Sequence, residues 1–119
     1  MISKPKYNFY KNTIYALKGM RDLIKTEVSF KIELVFVALL SIFIYFVDFE
    51  TTDKLLMFIT LMLILICEAA NSAIERVVDL VTLEYNEMAG RAKDAGSAMV
   101  FLSILLCVIV WSIILIKYL

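Results

Sequence analysis

The stretch EAANSAIERVVDLVTLEYNEMAGRAKDAGS, residues 68–97, decides the fold because it joins two long apolar runs through a polar segment. The first of these runs begins at residue 55, and the second begins where the stretch ends. Its first part carries Glu68, Asn71, Glu75 and Asp79, at offsets of 3, 7 and 11 from the first of them. At 100° per residue these positions fall within about 80° of arc, so we expect one polar stripe along a helix.

The polar stripe is the first candidate for a functional site. Acidic side chains inside a membrane-spanning helix are costly to bury, and they usually mark function. Glu68 follows Leu55 by 13 residues, which places it about 20 Å from the outer end of its span. In a hydrocarbon core about 30 Å thick, that depth lies past the midplane toward the cytoplasm.

The composition is that of a small integral membrane protein rather than a soluble globule. Of 119 residues, 62% are hydrophobic, and they form three long apolar runs. We predict an all-α membrane protein of one domain, residues 1–119, with an amphipathic surface helix at about 8–28 and spans at about 30–47, 55–77 and 96–116. A polar lead-in with Lys4 and Pro5 precedes the surface helix, whose lysines and apolar residues suit a membrane surface.

The placement of basic residues predicts the orientation. Seven of the twelve lysines and arginines precede residue 32, so the N-terminus is expected in the cytoplasm and the C-terminus outside. We expect no cleaved leader, because the first apolar run starts only near Ile32. The second span should end between residues 76 and 79, and the connection over residues 80–91 has Gly90 available as a break. Cys67 and Cys107 lie in apolar runs, and we infer neither a disulfide nor a metal site from them.

Three membrane-spanning helices in one chain can shield the polar stripe from lipid only in part. Each helix has at most two neighbours in one chain, so we expect a homo-oligomer whose subunits cover the stripe. Spacing does not fix the number of subunits.

The residue types of the stripe are compatible with phosphoryl transfer. A carboxylate can act as general base on a hydroxyl, and further carboxylates can hold the magnesium that bridges nucleotide phosphates. A lysine neutralises phosphate charge, so Glu68, Glu75 and Lys93 suit this chemistry. The chain lacks the G-x-x-x-x-G-K-[ST] motif and the protein-kinase loop motifs, so a nucleotide site here belongs to neither class.

Other readings of these residues stay open. A small proton-coupled transporter subunit would also carry acids in a span, although without a companion set at the cytoplasmic surface. An assembly peptide would not need Lys93 and Asp94 opposite the stripe. Glu68 alone could be a structural carboxylate, Lys93 and Asp94 could cap the third span by snorkelling, and Tyr15 and Trp111 could be interface anchors.

Two motifs resemble the signature of the small bacterial diacylglycerol kinase family, whose relatives include undecaprenol kinases. They are E-A-A-N-S-A-I-E-R-V-V-D, residues 68–79, and E-Y-N-E-M-A-G-R-A-K-D-A-G-S-A, residues 84–98. The resemblance covers nearly the whole chain, including K-G-M-R at 18–21, E-V-S-F-K-I-E at 27–33 and Trp111. It implies a trimeric inner-membrane enzyme that transfers the γ-phosphate of magnesium-ATP to the hydroxyl of diacylglycerol. The run G-S-A-M-V, residues 96–100, together with Trp111 resembles the diacylglycerol branch, and undecaprenol stays the alternative acceptor.

The resemblance also implies roles for individual residues. Glu68 is the expected base, and Glu27 and Glu75 are the expected metal ligands. The expected nucleotide contacts are Tyr15, Glu27, Glu75, Glu84, Tyr85, Asn86, Lys93 and Asp94. The expected lipid contacts are Arg21, Ser29, Phe30, Lys31, Glu33, Ser97 and Trp111. The chain departs from the family at Asn8, Ala16 and Asn86, where an arginine, a serine and a histidine are frequent.

Overall fold

Residues 6–119 fold into four helices. The computed structural model describes residues 6–119, and within them it contains α1 (Phe9–Thr26), α2 (Val28–Phe46), α3 (Thr51–Val81) and α4 (Glu87–Lys117), with no strand. By length and composition, α2, α3 and α4 can each cross a membrane. The predicted all-α membrane architecture is confirmed. Lys4 and Pro5 of the predicted lead-in lie outside the described residues.

Helix α1 is joined to α2 by a single residue. Asn8 caps the N-terminus of α1, because its side chain accepts a hydrogen bond from the backbone N–H of Lys11 at 3.1 Å. The helix ends before Glu27, whose extended backbone (φ −108°, ψ 109°) also starts α2. No residue of α1 is buried, so its apolar side chains are free to face a membrane surface.

Helices α2 and α4 pack against α3, whereas α1 packs on α2. The central helix α3 packs extensively on α4 and, over a smaller area, on α2. The buried residues of α2 recur every seven positions, at Phe30, Val37 and Ile44. Those of α4 follow at spacings of seven, four and seven, at Gly96, Ser103, Cys107 and Ile114. Such repeats keep one face of a helix against its neighbour when the two cross at a shallow angle.

Helices α3 and α4 are longer than their apolar runs. Each has 31 residues, or about 46 Å at 1.5 Å per residue, against a hydrocarbon core of about 30 Å. The connection between them is therefore reduced to residues 82–86. The expected break at Gly90 does not occur, because Asn86 caps α4 by accepting the Ala89 N–H at 3.0 Å, and Gly90 lies inside the helix.

A cluster that we term the end clasp closes the bundle at the end opposite α1. It comprises Glu50, Asp53, Lys117 and Tyr118. The Tyr118 hydroxyl donates to Asp53 Oδ2 at 2.6 Å, and Lys117 Nζ donates to the same oxygen at 3.0 Å. The backbone N–H of Glu50 donates to the Tyr118 hydroxyl at 2.8 Å. The end clasp thus ties the last residues of α4 to the start of α3.

Candidate active site

Glu68 is a buried carboxylate where α2 meets α3. It is 8% exposed, and the Ser29 hydroxyl donates to its Oε1 at 3.0 Å. Glu33 lies one turn beyond Ser29 on α2. One oxygen of Glu33 is buried and has no partner among the described residues. Glu68 therefore sits in a small polar pocket inside an apolar bundle.

A single chain covers the first two residues of the polar stripe but not the last two. Glu68 and Asn71 are 8% and 7% exposed in a single chain, because α2 and α4 both pack against α3. Asn71 Oδ1 lies so close to Gly96 of α4 that an added Cβ there would overlap it. Glu75 is only half-buried and Asp79 is exposed. The expectation that further subunits cover the stripe therefore remains a prediction, and it now concerns Glu75 and Asp79.

The polar stripe continues from α3 to α4. Asn71 Nδ2 donates to Glu75 Oε1 at 3.2 Å, one turn further along α3. One turn beyond Glu75, Asp79 accepts a hydrogen bond from Lys93 Nζ of α4 at 2.8 Å. The four stripe residues therefore lead from the buried carboxylate to an ion pair at the α1 end of the bundle.

A cleft of about 210 Å³ lies where α3 ends and α4 begins. Asp79 and Lys93 line it together with Glu84, Tyr85 and Asn86 of the connection. The structure thus brings four of the expected nucleotide residues to one place. The Asn86 side chain already caps α4 there, whereas Tyr85 is 97% exposed.

Both expected metal ligands lie at the α1 end of α3. Glu27 Oε1 accepts a 3.4 Å hydrogen bond from Arg76 Nη2, and Arg76 directly follows Glu75. Among residues 6–119, no three acidic or cysteine side chains converge on a preformed metal site. Magnesium keeps several waters and is usually held by one or two carboxylates plus substrate phosphates. Two half-buried carboxylates therefore fit a magnesium ion that arrives with a nucleotide.

An apolar groove runs along the bundle to Glu33, which lies one turn beyond Ser29 on α2. Its volume is about 290 Å³, and its apolar walls include Phe36, Leu40, Leu61 and Ile104 of three helices. Glu33 is its one charged lining residue, and it lies at the end of the groove nearest α1. A chain of methylene groups in this groove would bring an attached polar group to Glu33, on the same helix as Ser29, which donates to Glu68.

Two of the expected lipid contacts lie elsewhere. Phe30 is 1% exposed and packs in the core, so no lipid reaches its side chain and we remove it from the proposed contacts. Trp111 donates from Nε1 to Met57 O at 3.2 Å. Met57 precedes Glu68 by 11 residues, about 16 Å along α3. The remaining expected residues outside the cleft are exposed, namely Tyr15, Arg21, Lys31, Asp94 and Ser97.

Arg76 is the functional candidate that the sequence alone did not indicate. It was expected only as part of the segment in which the second span ends. The available signal was a single arginine inside a stripe of acids, directly after an expected metal ligand.

Comparison with known proteins identifies the family. Residues 14–115 match a family model described as prokaryotic diacylglycerol kinase. The chain belongs to this family. A diacylglycerol kinase of Escherichia coli (strain K12) is 42% identical over 101 residues, which cover 85% of this chain and 83% of the relative. A diacylglycerol kinase of Haemophilus influenzae is 36% identical over 100 residues, covering 84% and 85%.

An undecaprenol kinase is among the more distant relatives. The protein of that name from Bacillus subtilis is 28% identical over 103 residues, which cover 85% of this chain and 83% of the relative. The predicted family, including its relation to undecaprenol kinases, is confirmed. With its three apolar helices the protein is a bacterial membrane protein, and its family makes it a kinase.

Proposed function

We propose that the protein transfers the γ-phosphate of magnesium-ATP to the hydroxyl of diacylglycerol, giving phosphatidic acid and ADP. The observation that carries this proposal is the position of Glu68. This carboxylate is buried beside Ser29 and Glu33, between an apolar groove on one side and a stripe that ends at Lys93 on the other. A lipid hydroxyl and a nucleotide can approach such a carboxylate from opposite directions.

The chemistry follows from these two approaches. Glu68 accepts the proton of the lipid hydroxyl, and the hydroxyl oxygen forms a bond to the γ-phosphorus. The bond from that phosphorus to the oxygen that bridges it to the β-phosphorus breaks, and ADP leaves with the electron pair. Lys93, which pairs with Asp79 in this structure, would stabilise the phosphate charge.

The nucleotide and its metal would lie at the α1 end of the bundle. The cleft is lined by Asp79, Glu84 and Lys93. Lys93 would provide a cation for the phosphates of ATP, and the open side of the cleft would admit the adenine. Glu27 and Glu75 would hold magnesium, which when bound neutralises charge on the phosphates. Tyr15 and Asp94 remain proposed nucleotide contacts.

The orientation and the assembly are part of the same proposal. The α1 end would face the cytoplasm, where ATP is available and where basic residues are retained. A homotrimer is proposed from the family resemblance. Native mass spectrometry of the detergent-solubilised protein would give the mass of three 13.6 kDa chains, and a single-chain mass at working concentration would remove the trimer.

Diacylglycerol is the proposed acceptor because the relatives of that name are the more similar ones, at 42% and 36% identity against 28% for the undecaprenol kinase. The test supplies either alcohol in mixed micelles and compares kcat/KM from ADP release. We expect ADP release that depends on lipid and is faster with diacylglycerol. Faster turnover of undecaprenol would make undecaprenol the preferred acceptor, and no ADP release with either alcohol would contradict both as acceptors.

A further inference from the structure

The short junction between α1 and α2 is held against α3 by one arginine. Arg76 Nη1 donates to Asp22 Oδ2 at 2.5 Å, and Nη2 donates to Thr26 Oγ1 at 3.1 Å. The Thr26 hydroxyl donates in turn to the Asp22 carbonyl at 2.8 Å, which fixes the last turn of α1. A planar guanidinium can serve several acceptors at once in a fixed geometry, which a lysine ammonium cannot.

The third acceptor of Arg76 is an expected metal ligand. Its Nη2 reaches Glu27 Oε1 at 3.4 Å, longer than its contacts to Asp22 and Thr26. Glu27 is the one extended residue between α1 and α2. The contacts that hold this junction in place therefore also set the position of the Glu27 carboxylate. Because the main partners of Arg76 are Asp22 and Thr26, Glu27 keeps most of its capacity for a cation.

We propose that Arg76 is a positioning residue that locks the α1–α2 junction onto α3 and thereby aims the Glu27 carboxylate at the metal of the nucleotide complex. This inference rests on the proposed function, because it takes Glu27 as a metal ligand. Arg76 lies next to Glu75, so the same helix that carries one carboxylate sets the direction of the other.

A competing effect has the opposite sign, and this makes the proposal testable. A guanidinium beside a carboxylate also repels an incoming cation. If repulsion dominated, removing Arg76 would strengthen metal binding. If positioning dominates, removing either Arg76 or its partner Asp22 weakens metal binding, since loss of Asp22 also lets Arg76 move onto Glu27.

The experiment measures binding of manganese with a non-hydrolysable ATP analogue by electron paramagnetic resonance, in the detergent-solubilised full chain. We expect Arg76→Gln and Asp22→Asn each to weaken binding about tenfold, a typical effect for a lost charged hydrogen bond. The double variant should be no weaker than Arg76→Gln alone, because both substitutions break the same contact. Arg76→Lys should recover part of the affinity.

The control is Lys25→Gln, which removes a positive charge from the last turn of α1. Within residues 6–119 the Lys25 side chain forms no hydrogen bond or ion pair, so we expect wild-type binding. In turnover, Arg76→Gln should raise the KM for magnesium-ATP more than it lowers kcat. A merely structural role would instead lower the thermal midpoint and the active fraction at unchanged affinity.

Three results overturn the proposal. Unchanged affinity in Arg76→Gln would mean that Arg76 positions nothing, and tighter binding would mean that repulsion dominates. In both cases wild-type binding of the manganese complex would leave the proposed function standing. If the wild-type chain itself does not bind manganese with the analogue, the metal site of the proposed function fails, and the role of Arg76 fails with it.

Discussion

The carboxylate of Glu68 is buried in an apolar bundle and is stabilised there by local contacts. The Ser29 hydroxyl donates a hydrogen bond to Glu68 Oε1 at 3.0 Å. A buried carboxylate without such partners would be strongly destabilising. The same contacts hold the carboxylate in one orientation, which a general base requires.

The Glu68→Gln variant should fold and lose nearly all turnover. The amide keeps the size of the side chain and accepts the Ser29 hydrogen bond, but it cannot take a proton from the lipid hydroxyl. We expect kcat to fall about 10²–10⁴-fold, the usual contribution of a general base. Ser29→Ala, which keeps the carboxylate and removes its donor, should show a smaller loss. A Glu68→Gln rate above about a tenth of the wild-type rate would remove Glu68 as the base.

The Glu27→Gln and Glu75→Gln variants test the metal ligands. Each removes an anionic oxygen that magnesium prefers, so each should need more magnesium for half-maximal activity. The magnesium titration is run at saturating ATP and lipid, beside Lys25→Gln as the control. A curve that superimposes on the wild-type curve would exclude the substituted residue from the metal site.

For individual residues, the sequence predicted that the four stripe residues align on one face of α3. It did not predict which residues of the other helices contact them. Helical periodicity was enough to place Glu68, Asn71, Glu75 and Asp79 along one line of α3. Which helix faces each of them depends on helix crossing, which periodicity does not contain. The contact of Ser29 with Glu68 and the burial of Phe30 in the core could therefore not be predicted from the spacing.

Among the elements, the close contact of α3 with α4 depends on a residue without a side chain. Gly96 lets Asn71 Oδ1 lie against the backbone of α4, where any Cβ would overlap it. Asn71 also donates to Glu75, so its position is linked to that of an expected metal ligand. The absence of a side chain at Gly96 thus supports the geometry of the stripe.

The Gly96→Ala variant should displace Asn71 and lower activity. The new methyl group pushes the end of the Asn71 side chain away and breaks its hydrogen bond to Glu75, while the helix backbone can remain in place. Gly90→Ala is the matched stability control, since nothing lies within 4 Å of a Cβ at that position and alanine favours a helix by about 0.5–1 kcal/mol over glycine. We expect a higher thermal midpoint for Gly90→Ala than for Gly96→Ala. Wild-type turnover in Gly96→Ala would contradict the link between Gly96 and the stripe.

The lengths of the elements were predicted less well than their number. Hydropathy marks the part of a helix that lies in hydrocarbon, and it found all three apolar helices. The polar ends of α3 and α4 continue as helix outside that part because their residues are ordinary helix formers. The connection therefore has five residues, 82–86, where a longer segment was expected.

On the scale of the whole molecule, different side-chain contacts hold the two ends of the bundle. The α1 end carries acids of the polar stripe together with Arg76 and Lys93, whereas the end clasp closes the opposite end. The hydrogen bond that Tyr118 donates to Asp53 raises the pKa of the phenol above its ordinary value of about 10. A raised pKa means that the contact contributes stability below pH about 10 and loses it as pH rises through the raised value.

The Tyr118→Phe variant should lower the thermal midpoint and leave turnover per folded enzyme unchanged. It removes the hydroxyl that links Asp53 to the Glu50 backbone, far from Glu68. The midpoint difference between the wild type and the variant should be constant near neutral pH and shrink as pH rises through the pKa of Tyr118. Equal midpoints at pH 7 would show that the end clasp does not stabilise the bundle.

The central claim is that the γ-phosphate moves directly from ATP to a lipid hydroxyl activated by Glu68. The most direct measurement follows radiolabelled γ-phosphate in mixed micelles of diacylglycerol, with purified wild-type protein and Glu68→Gln in parallel. We predict labelled phosphatidic acid in equal amount to ADP for the wild type, and at least about a hundredfold less for Glu68→Gln. Labelled inorganic phosphate without labelled lipid, or equal lipid labelling by both proteins, would contradict the claim.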